Sequence, residues 1–216
     1  MIEIRIICLV IGYALGLFQT GVIYGKLHHF DLRKHGSGNS GMTNSLRTMG
    51  WKAGIIVFLG DSLKAVLAIV IVWIAFKDRY PEAVKMFELY AGLGVILGNN
   101  FPFYLKFKGG KGIAATVGIV FSTFVSMVPI SAVLFFAGVI PTGFISVGSL
   151  LICSSYFAQI IVFGQLGLLG IGSAFLAETY IIAGIMTAIA FIRHKENIKR
   201  LIHGTENKFR PKKNEE

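Results

Sequence analysis

Apolar residues run through this chain in long blocks, broken by short polar segments. Residues 6 to 25 form one block, 53 to 76 a second, and 83 to 105 a third that is more polar, with Lys85 and Glu88 near its start. From Ile113 to Ile192 the only formally charged residue is Glu178. A helix needs roughly 20 apolar residues to cross the hydrocarbon core. The first three blocks therefore predict one span each, and the last run has room for four short ones. Breaks for those four are available at Pro129, at Pro141–Thr142–Gly143, and in the glycine-rich stretch from Gly164 to Gly172. The pattern predicts an all-α, polytopic transmembrane helix bundle of about seven spans.

The distribution of charge sets the direction of the chain. The loop from Lys26 to Lys52 carries Lys26, Arg33, Lys34, Arg47 and Lys52 against Asp31 alone. Lys106, Lys108 and Lys111 make the next polar segment basic, and Lys and Arg outnumber Glu after Ile192, whereas "KDRYPEAVK" is nearly balanced. Under the positive-inside rule the three basic segments face the cytoplasm. This gives an outside N-terminus and a cytoplasmic C-terminus. Residues 1–192 form a single transmembrane domain with cytoplasmic loops 26–52 and 105–112, and residues 193–216 form a basic cytoplasmic C-terminal segment.

Composition agrees. Hydrophobic residues make up 54% and charged residues 15%, against about 25% charged in a soluble domain. The net charge of +10 lies in short segments beside apolar runs, which points to anionic lipid rather than nucleic acid. Cys8 and Cys153 lie inside apolar runs and read as ordinary helix residues. The N-terminal block reads as an uncleaved span, because Glu3 balances Arg5 and no small-residue cleavage pattern follows.

Three unusual segments fall on the predicted cytoplasmic side. In the first, Gly36, Gly38 and Gly41 have the spacing of a dinucleotide fingerprint. A Rossmann reading fails, because no strand precedes them and no acidic residue lies about 20 residues on in a βαβ unit. The residues still suit an anion: glycines let N–H groups converge, and Ser37, Asn39, Thr43 and Asn44 add short donors. Arg47, three residues past Asn44, shares its face if a helix begins there and can grip phosphate in bidentate fashion. A flexible loop beside a lipid-facing arginine is the plainer alternative.

The second segment lacks Walker A spacing, yet sets Lys106, Lys108 and Lys111 around Gly109, Gly110 and Gly112 just before a helix. Lysines at a helix N-terminus make an anion site; a positive-inside anchor would need the lysines but not the glycines. In the third, His194 and Asn197 lie three apart, and Ile198, Leu201 and Ile202 form an apolar stripe, as in an amphipathic continuation of the last helix. A structural histidine and a headgroup-binding tail are the alternatives there. Inside the membrane, Asp61 and Lys64 read as a mutually neutralising pair. Glu178, about 22 Å along the helix from Arg193, is placed near the outer interface, solvated. Acids are too few and scattered for a metal cage.

Taken together, these segments resemble the bacterial acyl-phosphate-dependent glycerol-3-phosphate acyltransferases, integral membrane enzymes that begin phospholipid synthesis. The resemblance rests on Gly36 to Asn44 with Arg47, on "FPFYLKFKGGKGIAAT" (residues 101–116), and on "HKENIKRLIHGTENK" (194–208). The Asp61–Lys64 pair and "GFISVGS", which holds Ser146, also look like family features. Two residues depart from the pattern: Met42 replaces a usual alanine, and Asn99 stands where histidine is expected.

The resemblance implies transfer of an acyl group from acyl phosphate to the sn-1 hydroxyl of glycerol 3-phosphate, at the cytoplasmic face of the bacterial cell (inner) membrane, without cofactor, metal or obligate protein partner. It implies catalytic roles for His194, Asn197, Ser146 and Lys111. Phosphate binding falls to Ser37, Gly38, Asn39, Thr43, Asn44, Arg47, Lys108, Gly109 and Gly110, with Asn39, Thr43 and Asn44 shaping the first loop and Lys108, Gly109 and Gly110 serving the second phosphate. With no legible nucleophile, the acyl phosphate's own phosphate oxygen is expected to take the glycerol proton, while His194 orients substrate or stabilises charge, with general base as its second possible role. A transporter of phosphate or a phosphorylated metabolite would also use basic, glycine-rich loops, but no internal repeat is visible. A lipid-binding scaffold would need the basic tail without the glycine loops.

Overall fold

The computed structural model describes residues 1–209; the end of the basic tail, 210–216, lies outside the described residues. Helices are the only regular elements among them: α1 (Ile2–Gly16), α2 (Thr20–Leu27), α3 (Met42–Met49), α4 (Trp51–Phe76), α5 (Val84–Asn100), α6 (Ile113–Thr123), α7 (Val128–Thr142), α8 (Ile145–Gln165), α9 (Leu176–Arg193) and α10 (Lys195–Ile202), with four short 3-10 turns. Five stretches are long and apolar enough to cross a membrane: Ile2–Leu27, Trp51–Phe76, Val125–Thr142, Ile145–Gln165 and Ser173–Arg193. This is a multi-pass membrane protein. The last apolar run does hold four helices, α6 to α9, separated near the expected proline and glycine positions. However, α5 has 17 residues and α6 only 11, too short to meet the same length criterion.

The first apolar block is not one continuous helix. It breaks at Leu17–Gln19, where the Gln19 amide donates to the carbonyls of Gly16 (3.2 Å), Gly98 (3.3 Å) and Asn99 (3.1 Å). Inside a bilayer such a break survives only where other protein groups satisfy the freed backbone. Lys64 completes that requirement by donating to Phe18 O at 2.6 Å. The third block ends earlier than expected, at Asn100, because Pro102 cannot continue a helix.

Packing centres on α4, which touches α1, α2, α3, α5 and α6. Its opposite face stays apolar and exposed, with Leu59, Leu63, Leu67 and Ile74 suited to lipid. The close pair α1–α5 rests on reciprocal small-xxx-small spacings, Gly12/Gly16 against Gly94/Gly98, which the sequence reading did not use. A Cβ on Gly12 would lie 1.9 Å from Ala91 O, so the backbones are in contact. Gly12→Ala is expected to cost about 1–3 kcal/mol of stability, seen as a lower thermal unfolding midpoint in detergent. Gly184→Ala on α9, where the new atom would sit at 3.4 Å from the Phe157 ring, should leave the midpoint unchanged or raise it slightly.

Glu178 corrects an expectation. It is not simply solvated: Arg5 donates to its two oxygens at 2.5 and 2.6 Å, and the Tyr90 hydroxyl adds a third bond at 2.5 Å. The pair Arg5–Glu178 ties α1 to α9 across α5, one charge compensating the other in a partly buried place. Cys8 and Cys153 are free and buried.

Candidate active site

Parts of all three unusual segments converge on one cavity of about 550 Å³. Its polar end is built by α3, the loop before α6, and the α9–α10 junction. Phe58, Val117, Phe121, Phe135, Phe136 and Ile152 line the apolar remainder, between α4, α6, α7 and α8. Polar head and greasy slot are continuous.

Two helix N-termini open into it. In α3 the first helical bond runs from Ser45 N to Gly41 O at 3.1 Å, and in α6 from Thr116 N to Gly112 O at 2.8 Å. The amides of Met42, Thr43 and Asn44, and of Ile113, Ala114 and Ala115, therefore have no partner within their helices, and all six residues line the cavity. Aligned free N–H groups and the positive end of the helix dipole favour anions.

The glycine loops turn out to support these donors rather than supply them. Asn44 is 2% exposed; its amide donates to the carbonyls of Leu32 (3.1 Å), His35 (3.1 Å) and Asn39 (2.9 Å), and its oxygen accepts from Ser37 N at 2.9 Å. The expectation that the Asn44 side chain donates to phosphate is corrected, while its other expected role, shaping the loop, is the one its bonds serve: it is the internal brace. Asn39 acts similarly, accepting from Gly41 N at 2.9 Å. Ser37, Thr43 and Arg47 do line the cavity, whereas Gly38 does not.

The same correction applies to the second loop. Gly109 N donates to Asn100 O at 3.1 Å and Gly110 N to Asn99 O at 2.9 Å, so neither amide is free for a second phosphate. Their carbonyls accept from the Arg193 guanidinium at 2.9–3.1 Å. A Cβ on Gly109 would meet Asn99 O at 2.1 Å; glycine is required here for close packing against the end of α5. Lys108 is exposed and outside the cavity, while Lys111 lines it.

Lys111 donates to Asn197 Oδ1. Burial lowers its pKa to about 8; Glu206 opposes that shift and Arg200, Arg193 and Arg47 add to it. Glu206, which the sequence reading passed over, is the polar hub. Its Oε1 accepts from Ser146 (3.1 Å) and Asn197 (2.7 Å), and its Oε2 from Arg200 (2.7 Å). An acid inside an otherwise basic tail was the available signal. Arg193 and Arg200 were likewise missed, since in sequence they blend with the positive-inside charge.

His194 is buried, with Nδ1 2.7 Å from Ala190 O. A carbonyl only accepts, so Nδ1 carries the proton and Nε2 keeps its lone pair. Burial, reinforced by Lys111, lowers its pKa to about 4. The ring is neutral across physiological pH. Behind the wall, Lys64 joins Asp61 Oδ1 (2.8 Å) and Asn99 Oδ1 (2.7 Å), the neutralising pair expected from the sequence. Asn99, the departure from the family pattern, thus accepts from Lys64 and holds the Gly110 loop at once. The described residues contain no cluster of metal-ligating side chains.

Residues 6–204 match the glycerol-3-phosphate acyltransferase family. A glycerol-3-phosphate acyltransferase of Mycoplasmopsis synoviae (strain 53) is 38% identical over 98% of this chain and 97% of its own length. The Bacillus subtilis (strain 168) enzyme of the same name is 35% identical over 94% and 96%. Among solved structures, the glycerol 3-phosphate form of PlsY (YgiH), an integral membrane glycerol 3-phosphate acyltransferase, aligns with TM-score 0.81 at 30% identity, covering 95% of this chain and 96% of that one. Identity at this level over nearly the full length, with the fold in common, settles the assignment: the chain is an acyltransferase and belongs to the glycerol-3-phosphate acyltransferase family.

Proposed function

We propose that the protein transfers an acyl group from acyl phosphate to the sn-1 hydroxyl of glycerol 3-phosphate, releasing lysophosphatidic acid and inorganic phosphate. The observation that carries this reading is the meeting of two anion-binding helix N-termini at the mouth of one apolar slot. Both substrates bear phosphate, and one bears a long acyl chain. The names of relatives agree, as does a second PlsY structure, a lysophosphatidic acid form, with TM-score 0.77 at 28% identity.

In the proposed step the glycerol hydroxyl attacks the acyl carbonyl carbon. The bond from that carbon to the phosphate oxygen breaks, and the hydroxyl proton passes to the departing phosphate, which gains basicity as it leaves. Arg47, Lys111 and the amides at the heads of α3 and α6 hold the phosphates, with Ser37 and Thr43 beside them. In the bound complex His194 Nε2 accepts from the glycerol hydroxyl and fixes its direction, and that bond gives way to one with the phosphate oxygen as the carbon–oxygen bond to phosphate breaks. Ser146, Asn197 and Arg200, gathered by Glu206, keep Lys111 in place. Catalysis then rests on orientation and fixed charge, for which positioning alone supplies up to about 7–11 kcal/mol.

For topology we propose seven spans, with the short α5 and α6 buried in protein rather than lipid, an outside N-terminus and a cytoplasmic C-terminus. Loops 26–52 and 105–112 and the segment 193–216 then share the cytoplasmic face of the inner membrane with the site. A phosphate transporter would be expected to place its anion site between repeated halves near the midplane; here the donors gather at one end of the bundle.

The deciding experiment incubates purified protein with labelled glycerol 3-phosphate and palmitoyl phosphate. Labelled lysophosphatidic acid is the expected product. Uptake into sealed vesicles without lipid product would replace the reaction with transport.

A further inference from the structure

We infer that Asp61 recognises the second hydroxyl of the glycerol phosphate acceptor and so decides which alcohols the site acylates; this rests on the reaction proposed above. Asp61 is 7% exposed and lines the cavity. Its level is fixed by two neighbours. Ser62 donates to Ala114 O at 2.9 Å, and Asn99 links Lys64 (2.7 Å) to Gly110 N (2.9 Å). The carboxylate therefore stands beside the head of α6, where the phosphate donors are.

Its chemistry suits a hydroxyl and not a phosphate. Both protein bonds to Asp61, from the Thr20 hydroxyl (3.0 Å) and from Lys64 (2.8 Å), fall on Oδ1. The other oxygen, Oδ2, has no protein donor among the described residues, and it is the acceptor this lining residue retains. Lys64 has three donors, and all are committed, to Phe18 O, Asp61 and Asn99. The pair is charge-compensated, so it neither attracts nor strongly repels an incoming anion, yet it retains one acceptor.

Hydroxyl and amide oxygens also line the cavity, but among its described lining residues a carboxylate oxygen with no protein donor is found only on Asp61. Glu206 already receives Ser146, Asn197 and Arg200, and His194 offers the single lone pair of Nε2. Ionised phosphates engage donors only, whereas each glycerol hydroxyl also needs an acceptor when removed from water. Glycerol 3-phosphate brings two hydroxyls. The reacting one meets Nε2, and the other meets Oδ2.

The test compares sn-glycerol 3-phosphate with 3-hydroxypropyl phosphate, which lacks the second hydroxyl, using palmitoyl phosphate as donor. The unmodified enzyme is expected to favour glycerol 3-phosphate by about 100-fold or more in kcat/KM, as for a site built around a substrate hydroxyl. Asp61→Asn, which keeps a weaker acceptor, should lower that preference by about tenfold. Asp61→Glu keeps the charge opposite Lys64, and with it the Lys64 bonds to Phe18 O and Asn99, but moves the free oxygen by one methylene. It should also lower the preference by about tenfold, and it serves if the Asn variant does not fold. Equal losses on both acceptors, or an unchanged preference, would overturn the inference. Absence of acylation of glycerol 3-phosphate by the unmodified protein would instead overturn the reaction itself.

Discussion

Lys111→Met is expected to lower kcat/KM by at least about a thousandfold, the effect of deleting a charged donor from a water-poor transition-state site, while Lys108→Met changes it by less than about threefold. The two lysines are three residues apart in one glycine-rich loop, and sequence alone assigned both to phosphate. Lys111 lies in the cavity wall bonded to Asn197; Lys108 points to solvent. Methionine keeps the apolar stem of Lys111 but removes the ammonium, leaving Asn197 Oδ1 without its donor. Steady-state assay of both variants, with folding checked by gel filtration, measures the contrast. Comparable losses would place the phosphate elsewhere.

The same lysine sets an alkaline limit. Burial brings its pKa to about 8, so the ammonium is intact below that pH and is lost as pH rises through it. kcat/KM, which reports the free enzyme, should fall above about pH 8. Bound phosphate favours the charged form, so the fall in kcat should come at higher pH. Lys111→Arg, with a guanidinium that stays charged, should lose that limb in whatever activity it retains.

His194→Ala is expected to reduce kcat by about 10²–10³-fold, and His194→Gln by less, about 10-fold to 100-fold. The reason is geometric. Nδ1 is fixed by Ala190 O, and the cavity side of the ring offers only an acceptor, which a glutamine oxygen can imitate. With a pKa near 4, the ring carries no charge change between pH 5.5 and 7.5, so the Gln variant should follow the unmodified pH profile there. An acid limb that disappears in the Gln variant, or recovery of the Ala variant by added imidazole, would make His194 a base.

The helical bundle was legible because membrane spans impose a length and an apolar composition that few other structures share. The convergence of the signatures was legible from charge asymmetry, and Lys111, Arg47, Ser146, His194 and Asn197 do meet. Other features were hidden for physical reasons. Spacing cannot reveal that the Gly109 and Gly110 amides bond to Asn99 and Asn100, because those partners lie across a turn whose path depends on Pro102 and Arg193. Asn44 has the chemistry of a phosphate ligand, and only its burial shows that the loop itself uses every one of its bonds. The break at Gln19 was invisible in an apolar run without glycine or proline at the break itself. What creates it is tertiary: the carbonyls of α5 and the ammonium of Lys64.

Glu206 follows all ten described helices, and Phe209 N donates to Gly143 O at 2.7 Å, stitching the segment after α10 to the α7–α8 corner. Ser146, Asn197 and Arg200 are thus gathered by a carboxylate that belongs to no helix. A chain cut just after α10 would keep every helix of the bundle and lose the clasp that joins the last of them to α8.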